Sequence, residues 1–94
     1  MDKILNNLGL CMRAGALVTG QEIVEDYLRS KKVFYIFLAN DASNNTKKAI
    51  NDKAKFYNVE VCDKYSSSEL NQAIGKTGRM VFGITSMNFV KILK

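Results

Sequence analysis

The residues whose types and spacing are best suited to recognition lie between positions 18 and 25, where a loop is predicted to become a helix. Thr19 and Glu22 have the spacing of a capping box, in which the hydroxyl and the carboxylate each accept a hydrogen bond from a backbone N–H. The same segment suits recognition of a nucleic-acid base, because a carboxylate accepts hydrogen bonds from base amino and imino groups. Gly20 would permit a close backbone approach, and Gln21 offers both a donor and an acceptor. These residues alone leave both interpretations open.

A second polar segment, residues 75–79, reads Gly-Lys-Thr-Gly-Arg and resembles the end of a phosphate-binding loop. That motif requires a glycine five residues before its Gly-Lys pair, where Leu70 stands, and it joins a strand to a following helix. Here a predicted helix comes before the segment and a strand comes after it. Nucleotide hydrolysis is therefore not predicted. A glycine-flanked basic loop remains, which suits contact with a nucleic-acid backbone or an ordinary solvated turn.

A third polar segment, residues 40–48, is rich in amide side chains and ends in Lys47 and Lys48. Amides followed by two lysines can contact sugar and phosphate groups. The alternative is that the two lysines only solvate an exposed helix face. The sequence does not separate these two interpretations.

The composition restricts the classes of function. The chain has 94 residues, of which 47% are hydrophobic, which suits one domain with a buried core. No apolar run approaches the roughly 20 residues of a membrane span. With no histidine and only two cysteines, Cys11 and Cys62, neither a metal site nor a Ser-His or Cys-His catalytic pair is expected. No cofactor and no small-molecule substrate are predicted. The N-terminus lacks the pattern of a signal peptide, so we expect a cytoplasmic protein.

The charge favours a polyanionic partner. Fourteen Lys and Arg residues against nine Asp and Glu residues give a net charge of +5. The excess is concentrated between residues 29 and 55, where only Asp41 and Asp52 oppose seven basic residues. Those seven are Arg29, Lys31, Lys32, Lys47, Lys48, Lys53 and Lys55.

Apolar periodicity predicts alternating helices and strands. Helices are expected over residues 2–14, 19–32, 43–57 and 66–75 and from residue 85 onward, with short strands over residues 16–18, 33–38, 59–62 and 80–84. The run 33–38 is continuously apolar, which is typical of a central strand covered on both faces. The sequence therefore predicts an α/β fold: a three-layer α/β/α sandwich with a small, mostly buried four-stranded mixed sheet, formed by residues 1–94 as one domain.

In the order of its helices, strands and polar segments, the chain resembles the ribosomal kink-turn RNA-binding protein family, and most closely its small bacterial YlxQ-type members. The resemblance covers essentially the whole chain and is carried by residues 13–15, 17–22, 36–43, 44–48 and 70–76. It implies an α/β/α sandwich that binds RNA without catalysis or cofactor. In this family, the turn that opens the second helix reads sheared G·A pairs of a kinked RNA through an Asn, a Glu and a Lys. A second loop surrounds a protruding nucleotide.

Carried over to this chain, those three positions are Gln21, Glu22 and Glu25, and the second loop comprises residues 76–79. Gln21 keeps the amide with one extra methylene, whereas Glu25 puts an anion where the family has a cation. The second loop also lacks the apolar residues common there. The resemblance and the basic segments together predict eleven RNA-binding residues: Gly20, Gln21, Glu22, Lys31, Lys32, Lys47, Lys48, Lys76, Thr77, Gly78 and Arg79.

We therefore predict a non-catalytic protein, associated with the ribosome or translation, that binds structured RNA such as a kink-turn. This prediction requires the opening of the second helix and the basic loop to lie side by side. The alternative is a protein-interaction adaptor on the same fold, in which Glu22, Glu25 and Asp26 meet a basic partner and kink-turn recognition is lost. An enzyme of carboxylate chemistry ranks third, since nothing in the sequence supplies a second catalytic group.

Overall fold

The computed structural model describes residues 2–94. Within that range five helices and four strands alternate along the chain: α1 (Lys3–Arg13), β1 (Leu17–Thr19), α2 (Gln21–Arg29), β2 (Tyr35–Leu38), α3 (Asn44–Phe56), β3 (Glu60–Cys62), α4 (Ser67–Ile74), β4 (Val81–Ile84) and α5 (Met87–Leu93). The strands form one mixed sheet in the order β1-β4-β2-β3. Strand β4 is antiparallel to β1 and β2, and β3 is parallel to β2. The predicted α/β fold with a four-stranded mixed sheet is confirmed.

The helices cover both faces of the sheet. Helix α1 packs against α4 and α5, and α2 packs against α3. Every residue of β2 and of β4, the two central strands, is buried. The continuous apolar run therefore does form a central strand, as predicted. The strand begins at Tyr35, two residues later than predicted, and the turn that follows α2 extends to Lys32, whose N–H donates to the Tyr27 carbonyl oxygen.

Short polar side chains set the helix starts where the sequence predicts them. Asp2 accepts a hydrogen bond from the Ile4 N–H at 2.7 Å and caps α1. Ser66 and Glu69 form a reciprocal capping box at the start of α4, so both donors are satisfied without water. Helices α1 and α4 also approach closely at Gly9, where a Cβ would lie 2.8 Å from the Ala73 carbonyl oxygen.

The strand directions gather the polar loops at one end of the sheet. Strand β4 begins where β1, β2 and β3 end. Residues 20–22, 39–48 and 76–80 therefore share one end of the sheet. Residues 31–34, 57–59 and 85–87 share the opposite end. The sequence-predicted RNA-binding residues are divided between these two ends.

Candidate nucleic-acid interface

The opening of α2 differs from the predicted capping box. Thr19 belongs to β1, where it pairs with Phe82 of β4, and the helix begins only at Gln21. The N-cap residue is Gly20, with φ 99° and ψ 140°, and within residues 2–94 no side chain caps this helix. The predicted capping box between Thr19 and Glu22 is therefore wrong, because the strand continues through Thr19 and the helix begins one residue later than the box requires, with Gly20 as its N-cap. Glycine adopts the Gly20 conformation without strain, so the chain leaves the sheet and enters the helix within one residue.

Gly20 lies directly against the start of β4. Its N–H donates to the Val81 carbonyl oxygen at 2.9 Å. On the other side of β4, the Ala39 N–H donates to the Met80 carbonyl oxygen, also at 2.9 Å. Residues 76–79 immediately precede this point, so the basic loop lies beside the ends of β1 and β2. The opening of α2 and the basic loop are therefore neighbours, as the sequence interpretation requires.

The basic loop presents its side chains to solvent. Residues 76–79 are all exposed. Gly75 ends α4 in the left-handed conformation with φ 71°, and Gly78 has φ 72°. These two turns direct the short segment away from the body of the protein and back into β4. Lys76 and Arg79 are therefore exposed on a loop that has two left-handed glycine turns, at Gly75 and Gly78.

Asn71 fixes the conformation of this loop, although the sequence analysis does not predict that role. It is the one buried polar residue within residues 2–94, with 7% of its surface exposed. Its Nδ2 donates to the carbonyl oxygens of Ser67 at 2.7 Å and Arg79 at 2.8 Å, and its Oδ1 accepts from the Arg79 N–H at 3.1 Å. The amide thus fastens the loop to α4. The only signal in the sequence is an Asn beside Leu70 on the apolar face of a predicted helix, where a buried amide must find internal partners.

A chain of polar side chains connects the start of α3 to the start of α2. Ser43 caps α3 by accepting from the Thr46 N–H at 3.2 Å. The Ser43 hydroxyl donates to Thr46 Oγ1 at 3.1 Å, and the Thr46 hydroxyl donates to Gln21 Oε1 at 3.0 Å. Gln21 Nε2 in turn donates to Glu25 Oε2 at 2.9 Å. Both ends of the Gln21 amide are therefore oriented by neighbouring side chains.

Lys47 and Lys48 lie on the same end of the sheet, one turn into α3. Lys48 Nζ is 3.0 Å from Asp52 Oδ2, and both side chains are largely exposed. An exposed i,i+4 pair of this kind contributes only a few tenths of a kcal/mol, so it does not prevent Lys48 from contacting another anion. We call residues 20–22, 43–48 and 76–79 together the β4-start surface.

Lys31 and Lys32 do not belong to this surface. Helix α2 runs away from it for nine residues before these lysines follow. The next segment meets the other end of β4, where the Phe34 N–H donates to the Ile84 carbonyl oxygen at 2.9 Å. The length of β4 alone separates the two ends by roughly 10 Å. Lys31 and Lys32 therefore lie at the opposite end of the sheet from residues 20–22, and their contact with RNA stays a prediction.

The amide-rich segment after β2 serves the fold. Asn40 Nδ2 donates to the Lys64 carbonyl oxygen at 3.3 Å. The Asp41 carboxylate accepts from the Ser67 hydroxyl at 2.6 Å and from the Ser67 N–H at 2.7 Å. These hydrogen bonds hold the pKa of Asp41 below its ordinary value. Asn40 and Asp41 thus fasten the β2–α3 loop to the start of α4, leaving Lys47 and Lys48 as the exposed polar end of the segment.

The described part of the chain forms neither a metal cluster nor a membrane span. Residues 2–94 bring together no group of three or more His, Cys, Asp or Glu side chains able to hold a metal ion. Among the same residues, no helix combines the length and the apolar character needed to cross a bilayer.

Comparison with known proteins identifies the family. Residues 2–94 match the sequence profile of the Ribosomal protein L7Ae/L30e/S12e/Gadd45 family. The chain belongs to this family. The match covers the whole described range, which confirms the family resemblance read from the sequence. Membership of the L7Ae/L30e/S12e/Gadd45 family, together with the names of the relatives below, also confirms that the chain is not an enzyme.

Individual members of the L7Ae/L30e/S12e/Gadd45 family are similar over nearly their full length. The RNA-binding protein YlxQ of Enterococcus faecium is 46% identical over 93 residues, which cover 99% of this chain and 89% of that protein. The RNA-binding protein YlxQ of Bacillus subtilis (strain 168) is 35% identical over 86 residues, covering 92% and 86% respectively. These relatives confirm that the chain is close to the YlxQ-type members.

Solved structures confirm the fold. A protein of unknown function from Bacillus halodurans superimposes with a TM-score of 0.95 and 35% identity, covering 99% of this chain and 94% of that one. The Giardia lamblia 15.5kD RNA binding protein superimposes with a TM-score of 0.83, covering 97% of this chain and 78% of that one. Because its identity is only 15%, this second likeness is evidence for the fold alone.

Proposed function

We propose that this chain is a non-catalytic protein that binds structured RNA through the β4-start surface. The observation that carries the proposal is the hydrogen bond between the Gly20 N–H and the Val81 carbonyl oxygen, at 2.9 Å. This bond joins the opening of α2 to the first residue of β4, two residues after the basic loop, and so brings together the two segments through which the family resemblance implies RNA contact. The names of the two YlxQ relatives, both described as RNA-binding, support the same class of partner.

The β4-start surface suits a division of roles. Lys47, Lys48, Lys76 and Arg79 supply positive charge for phosphate contacts, which provide most of the affinity of a protein for a nucleic acid. Gln21 and Glu22 supply side-chain acceptors and an amide for base edges. Gly20, the N-cap residue of α2, has no side chain to accept a hydrogen bond from the first turn of the helix. The backbone N–H groups of that turn are therefore open to an acceptor on the RNA. Thr77 and Gly78 form the exposed tip around which a nucleotide can fold.

A kink-turn is the RNA structure that the family resemblance favours. Sheared G·A pairs leave the Watson–Crick edge of the guanine unpaired, and the Glu22 carboxylate can accept hydrogen bonds from its imino and amino groups. Glu22 is exposed in the first turn of α2. In the proposal, Gln21 takes the place of the family Asn, with its amide held by Thr46 and Glu25.

A pair of RNAs tests the proposal directly. The measurement is the affinity of the full chain for a standard kink-turn RNA and for a variant that lacks its G·A pairs, at low and at physiological salt. We expect a complex with both RNAs that weakens steeply with salt, and a tighter complex with the intact kink-turn. Glu22→Gln should reduce the difference between the two RNAs. No RNA complex at low salt would overturn the proposal, and equal affinity for both RNAs would remove the kink-turn from it.

The proposed setting is the ribosome or the translation apparatus in the cytoplasm, with residues 1–94 acting as one domain. The alternative of a protein-interaction adaptor depends on an acidic first turn of α2 meeting a basic partner. One of the three carboxylates concerned is already engaged, since Glu25 accepts a hydrogen bond from Gln21. This contact favours the RNA proposal over an adaptor that uses this turn. Association with ribosomal particles on a sucrose gradient, lost in high salt, is the expected result in cells.

A further inference from the structure

An apolar groove of about 490 Å³ opens at the end of the sheet opposite the β4-start surface. The buried side chains of Leu28 and Val33 form its floor, and Phe34, Phe56 and Met87 line its walls. These three wall residues are 39%, 79% and 58% exposed. They are half of the six large apolar side chains exposed within residues 2–94. Exposed apolar surface is therefore concentrated in one concave place, which is typical of an interaction site.

Four lysines lie in or next to the segments that form this groove, and we call these four residues the lysine rim. Lys31 lines the groove and Lys32 follows directly, while Lys53 and Lys55 lie in the last turn of α3 next to Phe56. The nearby carboxylates of Asp26 and Glu60 pair with Arg29 and Lys94. None of the ion pairs found within residues 2–94 involves the four lysines. The groove is thus an apolar depression with a positive rim.

We propose that this groove binds an acidic segment of another protein that inserts several apolar side chains between the lysines. The volume accommodates more than one side chain, and the apolar lining offers Asn58 as its only side-chain amide. Phe56 is 79% exposed, so an occupant that covers it must be larger than a small molecule. The Glu and Asp side chains of the partner would meet the lysine rim, and its apolar side chains would cover Phe34, Phe56 and Met87.

Charge and geometry disfavour the two other occupants. A second copy of this chain, related by a two-fold axis, would bring the same lysines face to face. A single-stranded nucleic acid would need ring faces on which bases stack. Phe56 and Tyr57 instead pack edge to face on each other, with centroids 4.9 Å apart and planes at 83°. The groove does not depend on the RNA proposal, and its position allows both partners to bind at once.

A selection experiment tests the groove while the natural partner is still unidentified. The full chain is used to select from a phage-displayed library of short random peptides, with counter-selection on the Phe56→Ala variant. We expect enriched peptides to be acidic and to carry two or more large apolar residues. For one synthesised peptide, Phe56→Ala should weaken binding by about tenfold or more, and Lys32→Glu should weaken it further. Leu10→Ala is the matched control, since Leu10 is 46% exposed on α1 and should leave the affinity unchanged.

The remaining outcomes each overturn the proposal. These are the absence of an enriched class, enrichment of basic peptides, or equal affinity of the selected peptide for wild type and Phe56→Ala. A wild-type dimer in sedimentation that becomes a monomer in Phe56→Ala would assign the groove to self-association. Binding of oligo-uridine that is lost in Phe56→Ala would assign it to RNA. Because the kink-turn RNA contacts the opposite end, its affinity should be the same in Phe56→Ala as in the wild type.

Discussion

Gln21 and Glu25 lie one turn apart on α2 and share a hydrogen bond, in which Gln21 Nε2 donates to Glu25 Oε2 at 2.9 Å. These are two of the positions at which the chain departs from the family pattern implied by the resemblance. The longer amide reaches both Thr46 and Glu25, and the carboxylate that replaces a cation serves as its acceptor. The two departures therefore form one local arrangement, which orients the amide at the edge of the β4-start surface.

This pair predicts coupled effects on RNA selectivity. Gln21→Asn should lose the reach to both neighbours, and Glu25→Lys should add a phosphate contact while leaving Gln21 without its acceptor. The double variant restores the family pattern and should discriminate between a kink-turn RNA and its G·A-free variant better than either single variant. A double-mutant cycle on this discrimination should give a coupling of about 1 kcal/mol. Strictly additive effects would show that the two side chains act independently.

The different starts of α4 and α2 predict different effects of substitution on the free energy of unfolding. Ser66→Ala removes the capping box of α4 and should lower the free energy of unfolding by about 1 kcal/mol. Thr19→Val should change it by less than about 0.5 kcal/mol, because the Thr19 hydroxyl does not cap α2 and the β-branched shape suits β1. Urea unfolding followed by circular dichroism measures both. A larger loss of unfolding free energy for Thr19→Val than for Ser66→Ala would show that Thr19 does cap α2.

Asn71 predicts a link between stability and loop order. Asn71→Ala leaves the Arg79 N–H and carbonyl without their buried partner and should cost about 1–3 kcal/mol of stability. Amide hydrogen exchange at residues 76–79 should accelerate more than exchange in β2. Gln72→Ala, at the exposed neighbouring position, is the control and should change neither quantity. Unchanged exchange in the loop of Asn71→Ala would show that the loop is held by other contacts.

Asp41 predicts a dependence of stability on pH. Hydrogen bonds from the Ser67 hydroxyl and N–H lower its pKa in the folded protein from the ordinary value of 3.8. The unfolded chain therefore takes up this proton at a higher pH than the folded chain does. The contribution of Asp41 is present above the ordinary pKa and is lost as the pH falls through the folded value. Unfolding in urea, measured from neutral pH downward, should show a smaller acid-induced loss for Asp41→Asn than for the wild type, and equal losses would contradict this role.

Much of the fold follows from local sequence patterns. The continuous apolar run around residues 35–38 predicts a central strand, because a short run of β-branched and aromatic residues is typical of a strand covered on both faces. The polar residues Asp2, Ser43 and Ser66 predict three helix starts, because each supplies a side-chain acceptor to a neighbouring N–H. These signals depend on residues close together in the chain, which a sequence displays directly.

The features that the sequence does not reveal depend on tertiary structure. Thr19 has the spacing of a helix cap, but its pairing with Phe82 across the sheet decides its conformation. Lys31 and Lys32 look continuous with the other basic residues, but the direction of α2 separates them from the β4-start surface. Asn71 becomes a loop anchor only because Arg79 folds back onto it. The bond between Thr46 and Gln21 joins residues 25 positions apart, which spacing alone does not reveal.

The most direct test of the central claim compares two lysines at opposite ends of the sheet. The measurement is the salt dependence of the affinity for a kink-turn RNA in the wild type, Lys76→Ala and Lys32→Ala. If the RNA lies on the β4-start surface, Lys76→Ala should weaken binding and reduce the slope of log affinity against log salt by about one unit. Lys32→Ala should leave that slope at its wild-type value. The reverse pattern, with Lys32 required and Lys76 dispensable, would contradict the account.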